Sequence, residues 1–288
     1  MPGASPSLAA RTTPPVRRGL TLIELTVVVA ILAILAGLLA PRLAFMRTMS
    51  LHASAGTSIQ EVSQNLLSFH ATQARWPHRF DSLLASTSIG GTPTALYGAG
   101  SGAKGGLDTS LTAATSGQSL LTTAALTSDQ LKSLVGLLGQ PNGNSKAKLE
   151  LMDHDETNIK PGNSGVFARD LNSGASTMVA VVNQAHNPNP VDPNSASGDI
   201  IYKTVFPEGN NNNEVLVAIG VGPLCSAVSK TIVTPPSLYL RDATRYNRVI
   251  VLIRVRPDGV QASLAGAISA DGRTLDQCQG NYRVTAER

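Results

Sequence analysis

The most informative part of the sequence is residues 17–40, RRGLTLIELTVVVAILAILAGLLA, close to the N-terminus. Residues 25–40 contain no charged side chain, and nearly all of them are Leu, Ile, Val or Ala. With residues 20–23 they make an apolar run of about twenty residues, near the minimum length that crosses a bilayer as an α-helix. The run therefore predicts a transmembrane helix, interrupted near its start by one acidic residue, Glu24.

The charges before this run predict its orientation. Arg17 and Arg18 directly precede it, and basic flanks are retained on the cytoplasmic side of a membrane. We therefore expect a cytoplasmic N-terminus and a chain that lies outside beyond about residue 42. Arg11, Arg17 and Arg18 also supply three charges of the formal net charge of +4, so removal of residues 1–19 leaves about +1. No nucleic-acid partner is expected, because phosphate binding needs a clustered basic surface.

Three other interpretations of the apolar run compete with an assembly segment. A secretory signal would be cleaved after the run, near residues 36–40, but Glu24 then interrupts the start of its apolar region. A plain signal anchor has no use for Glu24 either. A buried core helix is less consistent with a run that is apolar on every side. An ionisable group inside a membrane segment is costly and usually has a partner, so Glu24 favours a functional segment.

Gly19, Leu20, Glu24 and the apolar run together resemble the leader of type IV prepilins, a family that includes type II secretion pseudopilins. The resemblance implies that a prepilin peptidase cuts after Gly19 and that the new N-terminus, Leu20, is methylated. Leu20 departs from the family pattern, in which phenylalanine is commonest at this position. Glu24 becomes the fifth mature residue, and Pro41 falls where many members carry a helix-loosening proline.

The chemistry of Glu24 agrees with this resemblance. Cleavage leaves a free amine at Leu20, and a carboxylate at Glu24 can pair with the amine of a neighbouring subunit. In a low-dielectric environment that attraction is strong, and a misaligned neighbour would leave a buried charge without a partner. The pair would therefore set the stagger between neighbouring helices.

Beyond Pro41 the helical pattern resumes, with apolar residues at steps of three and four as far as Phe69. We expect this helix to end before residues 74–77, because a residue that precedes proline, here Trp76, disfavours helical geometry. Residues 69–84 also resemble a loose version of the pattern in major pseudopilins, in which a short loop leads into a short helix, here residues 80–84. Pro41 itself should break the hydrogen-bond ladder locally, because it has no N–H group.

The rest of the chain predicts an α+β fold, with a long N-terminal helix (a transmembrane half and an amphipathic half) packed on a C-terminal antiparallel β-sheet head. Residues 85–126 are rich in Gly, Ser, Thr and Ala and read as a long loop or insertion. A short helix is expected at residues 128–138, with Ser128 as its cap. β-branched runs predict strands at 166–171, 178–182, 200–206, 215–221, 249–255 and, after a turn at 257–259, 260–268.

These features divide the chain into four predicted parts. Residues 1–19 are the leader, and 20–73 are the long helix, with the membrane part at about 20–41. Residues 74–142 are a loop-rich insertion with short helices, and 143–288 are the β-rich head.

Candidate sites in the predicted head are few. Cys225 and Cys278 could form a disulfide if the head is exported, since oxidising compartments preserve disulfides, and would otherwise be two buried thiols. The acidic stretch at 153–158 offers Asp153 and Asp155 as weak calcium ligands, although a solvated acidic turn is the favoured interpretation. No cofactor is otherwise expected, and no motif predicts an enzyme.

The sequence therefore predicts a structural filament subunit, a pseudopilin of a type II secretion system or a subunit of a related type IV pilus. Its partners would be copies of itself, other pilin-like subunits, the prepilin peptidase and an inner-membrane assembly platform. The expected location is the bacterial inner membrane, crossed once, with the head periplasmic or extracellular, and then the filament. The alternative is an extracytoplasmic enzyme or binding domain for which the apolar segment is only a tether.

Overall fold

A computed structural model describes most of the chain. The described residues are 21–86, 92–93, 95–98, 106–112, 119–140, 148–155, 166–171, 177–186, 197–208, 214–234, 238, 245–258 and 262–279. The chain divides into two compact units, residues 1–47 and residues 48–288.

The predicted long helix is confirmed as α1, Leu22–Gln73, which is 52 residues long and contributes to both units. It ends where proline was expected to stop it, and Ala74 turns the chain with a φ of 51°. Pro41 lies inside the helix, which continues through it, so the missing N–H does not end the helix. In the second unit α1 is amphipathic, as predicted, and it buries one face made of Ala55, Ile59, Val62, Leu66 and Phe69.

Within the described residues nine strands form one sheet. They are β1 Phe80–Ser86, β2 Ala95–Leu96, β3 Leu121–Ala125, β4 Glu150–Asp155, β5 Val166–Asp170, β6 Met178–Val182, β7 Val215–Gly220, β8 Ile250–Val255 and β9 Ser263–Ile268. The main path is β3-β6-β7-β1-β4-β5, while β8 pairs with β7 and β9, and β2 pairs with β1. The α+β fold is confirmed, but the sheet is mixed rather than antiparallel, because β1 and β4 run parallel.

Both faces of the central strands are buried. On β7, Val217 and Ile219 belong to a core cluster with α1, whereas Leu216 and Ala218 belong to a second cluster on the opposite face. Successive side chains of a strand point to opposite faces, so a strand covered on both sides is apolar throughout. This explains the continuous apolar sequence of β7 and β8.

The second core corrects the expectation that residues 85–126 bury little. In the described parts of that segment Leu96, Tyr97, Leu107, Leu111 and Leu120 are all buried in the second cluster. The segment also contributes β2, β3 and the short helix α2, Thr109–Thr112. Widely spaced leucines within a polar, glycine-rich composition are enough to cover a sheet face, and average composition conceals them.

Two local predictions were wrong. Residues 80–84 form β1 rather than a short helix, because the strand inserts between β7 and β4 with every side chain buried. Residues 200–206 were expected to form a strand but belong mostly to helix α4, Gly198–Val205. Ser197 caps α4 through the Ile200 N–H, and the helix buries Ile201 and Tyr202 against the second core.

The predicted helix at 128–138 is confirmed as α3, Ser128–Leu138. Its cap is Thr127 rather than Ser128, and Thr127 and Gln130 form a reciprocal capping box. The predicted strands at 166–171, 178–182, 215–221 and 249–255 are confirmed as β5, β6, β7 and β8 within a residue.

Candidate functional site

The helix start is held by two residues of the segment that the sequence singled out. The Thr21 backbone N–H and hydroxyl donate to Oε2 of Glu24 at 2.8 and 2.9 Å, and the Glu24 N–H donates to the Thr21 hydroxyl at 3.3 Å. This reciprocal pattern is a capping box, which satisfies backbone N–H groups that have no partner within the helix. Sequence reasoning found Glu24 but missed the role of Thr21, although Thr-x-x-Glu before an apolar run is the usual signal.

Thr26 is the one polar side chain in residues 25–40, and its hydroxyl donates to the Ile23 carbonyl at 2.9 Å. Its polar group is thus satisfied within the helix. Glu24 is therefore the only side chain of residues 20–40 that carries a charge into an apolar surrounding.

The apolar residues of the first unit are exposed on all sides of the helix. None of the most apolar 18 residues of α1 is buried within the structure. The large exposed side chains run from Leu22, 80% exposed, to Met46, 64% exposed. A continuous apolar surface of this length requires lipid or protein around it, because water does not stabilise it.

Of the other N-terminal residues that the sequence singled out, Pro41 is described and the two at the predicted cleavage site are not. Gly19 and Leu20, the predicted cleavage and methylation residues, lie outside the described residues, so cleavage and methylation stay predictions. Pro41 is exposed inside α1, followed by the exposed Arg42. In an apolar helix proline is tolerated where neighbouring groups satisfy the freed carbonyl.

The part of the acidic stretch that the structure describes, residues 153–155, lies in β4 rather than in the solvated turn that was expected, and residues 156–158 lie outside the described residues. Asp153 lies in β4 and is buried, and its carboxylate accepts from Nε of Arg169 and from the Ser82 hydroxyl, each at 2.6 Å. Arg169 also donates to the Met178 carbonyl at 3.0 Å. Among the described residues no group of three or more His, Cys, Asp and Glu is arranged to hold a metal ion. The side chain of Asp155 lies outside the described residues, and the calcium site stays a prediction.

A second buried carboxylate, Asp81 in β1, escaped the sequence reasoning. Its Oδ2 accepts a hydrogen bond from the Tyr246 hydroxyl at 3.0 Å. Burial raises the pKa of Asp81 to about 7, against the opposing effects of the Tyr246 hydrogen bond and the charge of Arg248. A Cβ at Gly222 would overlap the Asp81 carboxylate, and one at Gly220 would overlap the Tyr246 hydroxyl. Both glycines therefore make room for this pair.

The two cysteines are buried free thiols in the cluster under α1. Burial raises the pKa of Cys225 to about 12 and that of Cys278 to about 11, which disfavours the nucleophilic thiolate form of each. Their pairing in an oxidising compartment stays a prediction.

An α+β head that follows an exposed apolar helix segment with a capped acidic start indicates a membrane-anchored class of protein. Residues 15–40 match the family model of the prokaryotic N-terminal methylation motif, the signature of pilins and pseudopilins. The chain is therefore pilin-like at its N-terminus, and this motif is typical of structural subunits that a prepilin peptidase processes and that assemble with other pilin subunits. No curated protein and no solved structure matches the chain.

Proposed function

We propose that the protein is a filament subunit, either a pseudopilin of a type II secretion system or a subunit of a related type IV pilus. The prepilin peptidase cuts the chain after Gly19 and methylates Leu20. The mature subunit then assembles with copies of itself and other pilin-like subunits at an inner-membrane platform. No cofactor takes part.

The observation that supports this proposal is a single carboxylate, Glu24, in the apolar part of α1, residues 22–40, which is otherwise uncharged and exposed. A helix that serves only as a tether gains nothing from Glu24, which makes insertion into lipid less favourable. A helix that exchanges lipid for the helices of other subunits gains a means of alignment. The motif match over residues 15–40 supports the same function.

Glu24 has two partners in the proposed assembly. Before assembly its carboxylate is held by Thr21, within its own chain. In the filament the carboxylate pairs with the amine of Leu20 on a neighbouring subunit. Because an unpaired charge in an apolar medium is unfavourable, only the correct stagger between subunits satisfies both groups.

The orientation follows from Arg17 and Arg18, which keep the N-terminus in the cytoplasm. The unit that contains residues 48–288 then lies in the periplasm or outside the cell. The two buried cysteines would enter an oxidising compartment in that arrangement.

The test is the intact mass of the protein from membranes of its native host, combined with Glu24→Ala. We expect a mature chain that begins at Leu20 with one added methyl group. Glu24→Ala should still be cleaved but should be lost from assembled filaments, because its subunits have no charge pair to set the stagger.

Glu61→Ala is the matched control, since Glu61 is an exposed glutamate of the same helix outside the apolar segment. It should assemble like the unmodified chain. An uncut chain, cleavage near residue 40, or normal assembly of Glu24→Ala would contradict the proposal. Those results would favour a tethered enzyme or binding domain instead.

A further inference from the structure

The apolar run of α1 is followed by two arginines. At a helical rise of about 1.5 Å per residue, residues 22–41 span about 30 Å, which matches the thickness of the hydrocarbon core of a bilayer. Arg42 follows directly, and Arg47 lies about 7.5 Å further along the helix. The headgroup layer adds about 5–8 Å on each side of the core, so both arginines fall within it when the apolar run spans the membrane.

This flank of the helix is positively charged and contains no compensating acid. Between Glu24 and Glu61 the chain has no aspartate and no glutamate, whereas it has Arg42 and Arg47. Both arginines are exposed, and among the described residues neither pairs with a carboxylate. Basic residues are also less frequent on the outer side of membrane proteins, where this flank is predicted to lie. The two guanidinium groups are therefore a candidate binding site for an anion.

The large side chains between the two arginines are apolar and exposed. Leu43, Phe45 and Met46 are 62%, 54% and 64% exposed. Water does not stabilise such a surface. The boundary between hydrocarbon and headgroups accommodates it, because an arginine can lay its aliphatic stem along an apolar surface and keep its charged end in the polar layer. This composition is therefore typical of a segment at the membrane surface rather than in the water beyond it.

Phosphate is the anion that the headgroup layer offers. A guanidinium group can donate two parallel hydrogen bonds to one phosphate, so arginine is well suited to phospholipid headgroups. In phosphatidylcholine the choline offsets the charge of the phosphate, whereas phosphatidylglycerol keeps a net negative charge. Because residues 25–60 contain two arginines and no acid, this flank attracts the anionic lipid more strongly than the zwitterionic one.

We propose that Arg42 and Arg47 bind the phosphate groups of anionic phospholipids in the leaflet at the C-terminal end of the apolar run. These contacts fix the depth of the helix and place residues 43–46 at the boundary between hydrocarbon and headgroups. The inference depends on the membrane span of α1 and not on assembly into a filament. It can therefore fail while the proposed function holds, and the reverse is also true.

Lipid retention tests the inference in the full-length chain. The chain is reconstituted in nanodiscs made of phosphatidylglycerol and phosphatidylcholine in equal parts, and native mass spectrometry counts the lipids of each kind that stay bound after release. We expect the unmodified chain to retain more phosphatidylglycerol. Arg42→Gln combined with Arg47→Gln should lower the ratio of the two retained lipids about threefold or more, because two charge-assisted contacts are lost.

Arg75→Gln combined with Lys132→Gln is the matched control, since it removes the same charge from exposed positions of the second unit. This control should keep the lipid ratio. The arginines before the apolar run are present in every chain, so the difference between variants isolates the flank after it. An unchanged ratio in the Arg42 and Arg47 variant, or an equal fall in the control, would overturn the inference. Loss of the lipid preference on addition of inorganic phosphate would also overturn it, because the site would then bind the free anion.

Fluorescence quenching tests the depth of the flank in the same nanodiscs, prepared with brominated lipids. Phe45→Trp should be quenched most strongly by bromine close to the headgroup. Leu32→Trp, at the middle of residues 22–41, is the control and should be quenched most strongly by bromine near the ends of the acyl chains. The unmodified chain supplies the background of its single tryptophan, Trp76. Absence of quenching in Phe45→Trp, or strongest quenching there from the acyl-chain ends, would contradict the proposed depth and overturn the inference.

Discussion

At the residue scale, Thr21 and Glu24 fix where the helix begins. The side chain of each residue accepts a hydrogen bond from the backbone N–H of the other. These N–H groups of the first turn therefore have partners, which lipid could not provide. Thr21→Val should remove the two bonds of the Thr21 hydroxyl, which accepts from the Glu24 N–H and donates to the Glu24 carboxylate, and make the helix start about 1 kcal/mol less stable. Hydrogen exchange of the full-length chain in detergent micelles would measure this as faster exchange of the first-turn amides.

Thr26→Val is the matched control for that change. Thr26 bonds back to the Ile23 carbonyl and caps no N–H group, so its loss should leave the first-turn amides unchanged. Equal exchange rates in Thr21→Val and the unmodified chain would show that the capping box does not hold the helix start.

The buried carboxylate of Asp81 makes stability depend on pH. Burial raises its pKa from 3.8 to about 7, so the folded state favours the protonated form. Its stabilising contribution is complete below about pH 4 and is lost as the pH rises towards 7. Asp81→Asn should remove this loss, which amounts to at most about 1.4 kcal/mol per pH unit. Urea unfolding of both chains between pH 4 and pH 8 measures the difference.

His154 affects the pH dependence of stability in the opposite direction to Asp81, so it must remain unchanged in this comparison. Burial lowers its pKa from 6.5 to about 4, so its contribution is present above about pH 6.5 and is lost as the pH falls towards 4. Because both chains keep His154, the difference between them isolates Asp81. Asp129→Asn, at an exposed position of α3, is the control and should keep the original pH slope. The same slope in Asp81→Asn would refute the assignment.

At the element scale, one buried ion pair joins β4 to β5. Arg169 and Asp153 have side chains that are 0% and 2% exposed and lie 2.6 Å apart. Arg169→Met should lower the free energy of unfolding by about 3–5 kcal/mol, because it leaves the carboxylate of Asp153 buried without its cation. Adding Asp153→Asn should restore part of that loss. Urea denaturation followed by far-UV circular dichroism provides both values.

Arg79 and Glu150 provide a matched pair at the start of β4. Their atoms are also 2.6 Å apart, but the side chains are 52% and 20% exposed. Arg79→Met should therefore cost no more than about 1 kcal/mol. Similar losses for Arg79→Met and Arg169→Met would show that burial does not govern the contribution of these pairs.

The elements that the sequence predicted correctly are those with a strong local pattern. The helix α1 has a long apolar and then amphipathic period, α3 has a helical face beside Thr127, and β6 to β8 have β-branched runs. Residues 200–206 are equally rich in β-branched and aromatic side chains, yet Ser197 and the Asp199–Lys203 pair at 2.6 Å favour a helix there. Intrinsic strand preference is weak enough for caps and packing to override it.

At the scale of the whole molecule, the unit of residues 48–288 contains both core clusters. A chain that begins at Thr48 should therefore fold alone, remain soluble without detergent and unfold cooperatively. Near-UV circular dichroism and thermal unfolding measure this against the full-length protein in detergent, and we expect similar midpoints.

A chain that begins at residue 74 is the control. It lacks four core side chains that are each at most 2% exposed, namely Ile59, Val62, Leu66 and Phe69. At about 1.5–3 kcal/mol for each side chain, their loss is comparable to the whole stability of a domain, so this chain should not fold. If the chain from Thr48 lacks cooperative unfolding, or the chain from residue 74 folds normally, the division into units is wrong.

The apolar segment near the N-terminus and its acidic residue could be predicted from the sequence alone. An apolar run, its single carboxylate and the flanking arginines act through local composition, since a membrane span depends on length and hydropathy rather than on distant contacts. The contacts within the head, in contrast, could be identified only from the tertiary structure. Asp81 meets Tyr246 across 165 positions of sequence separation, and the leucines of residues 85–126 cover a sheet face built from strands elsewhere in the chain. Among the described residues β9 pairs along its length with β8 alone, and which strand lies at the edge of a sheet depends on the pairing of all the others.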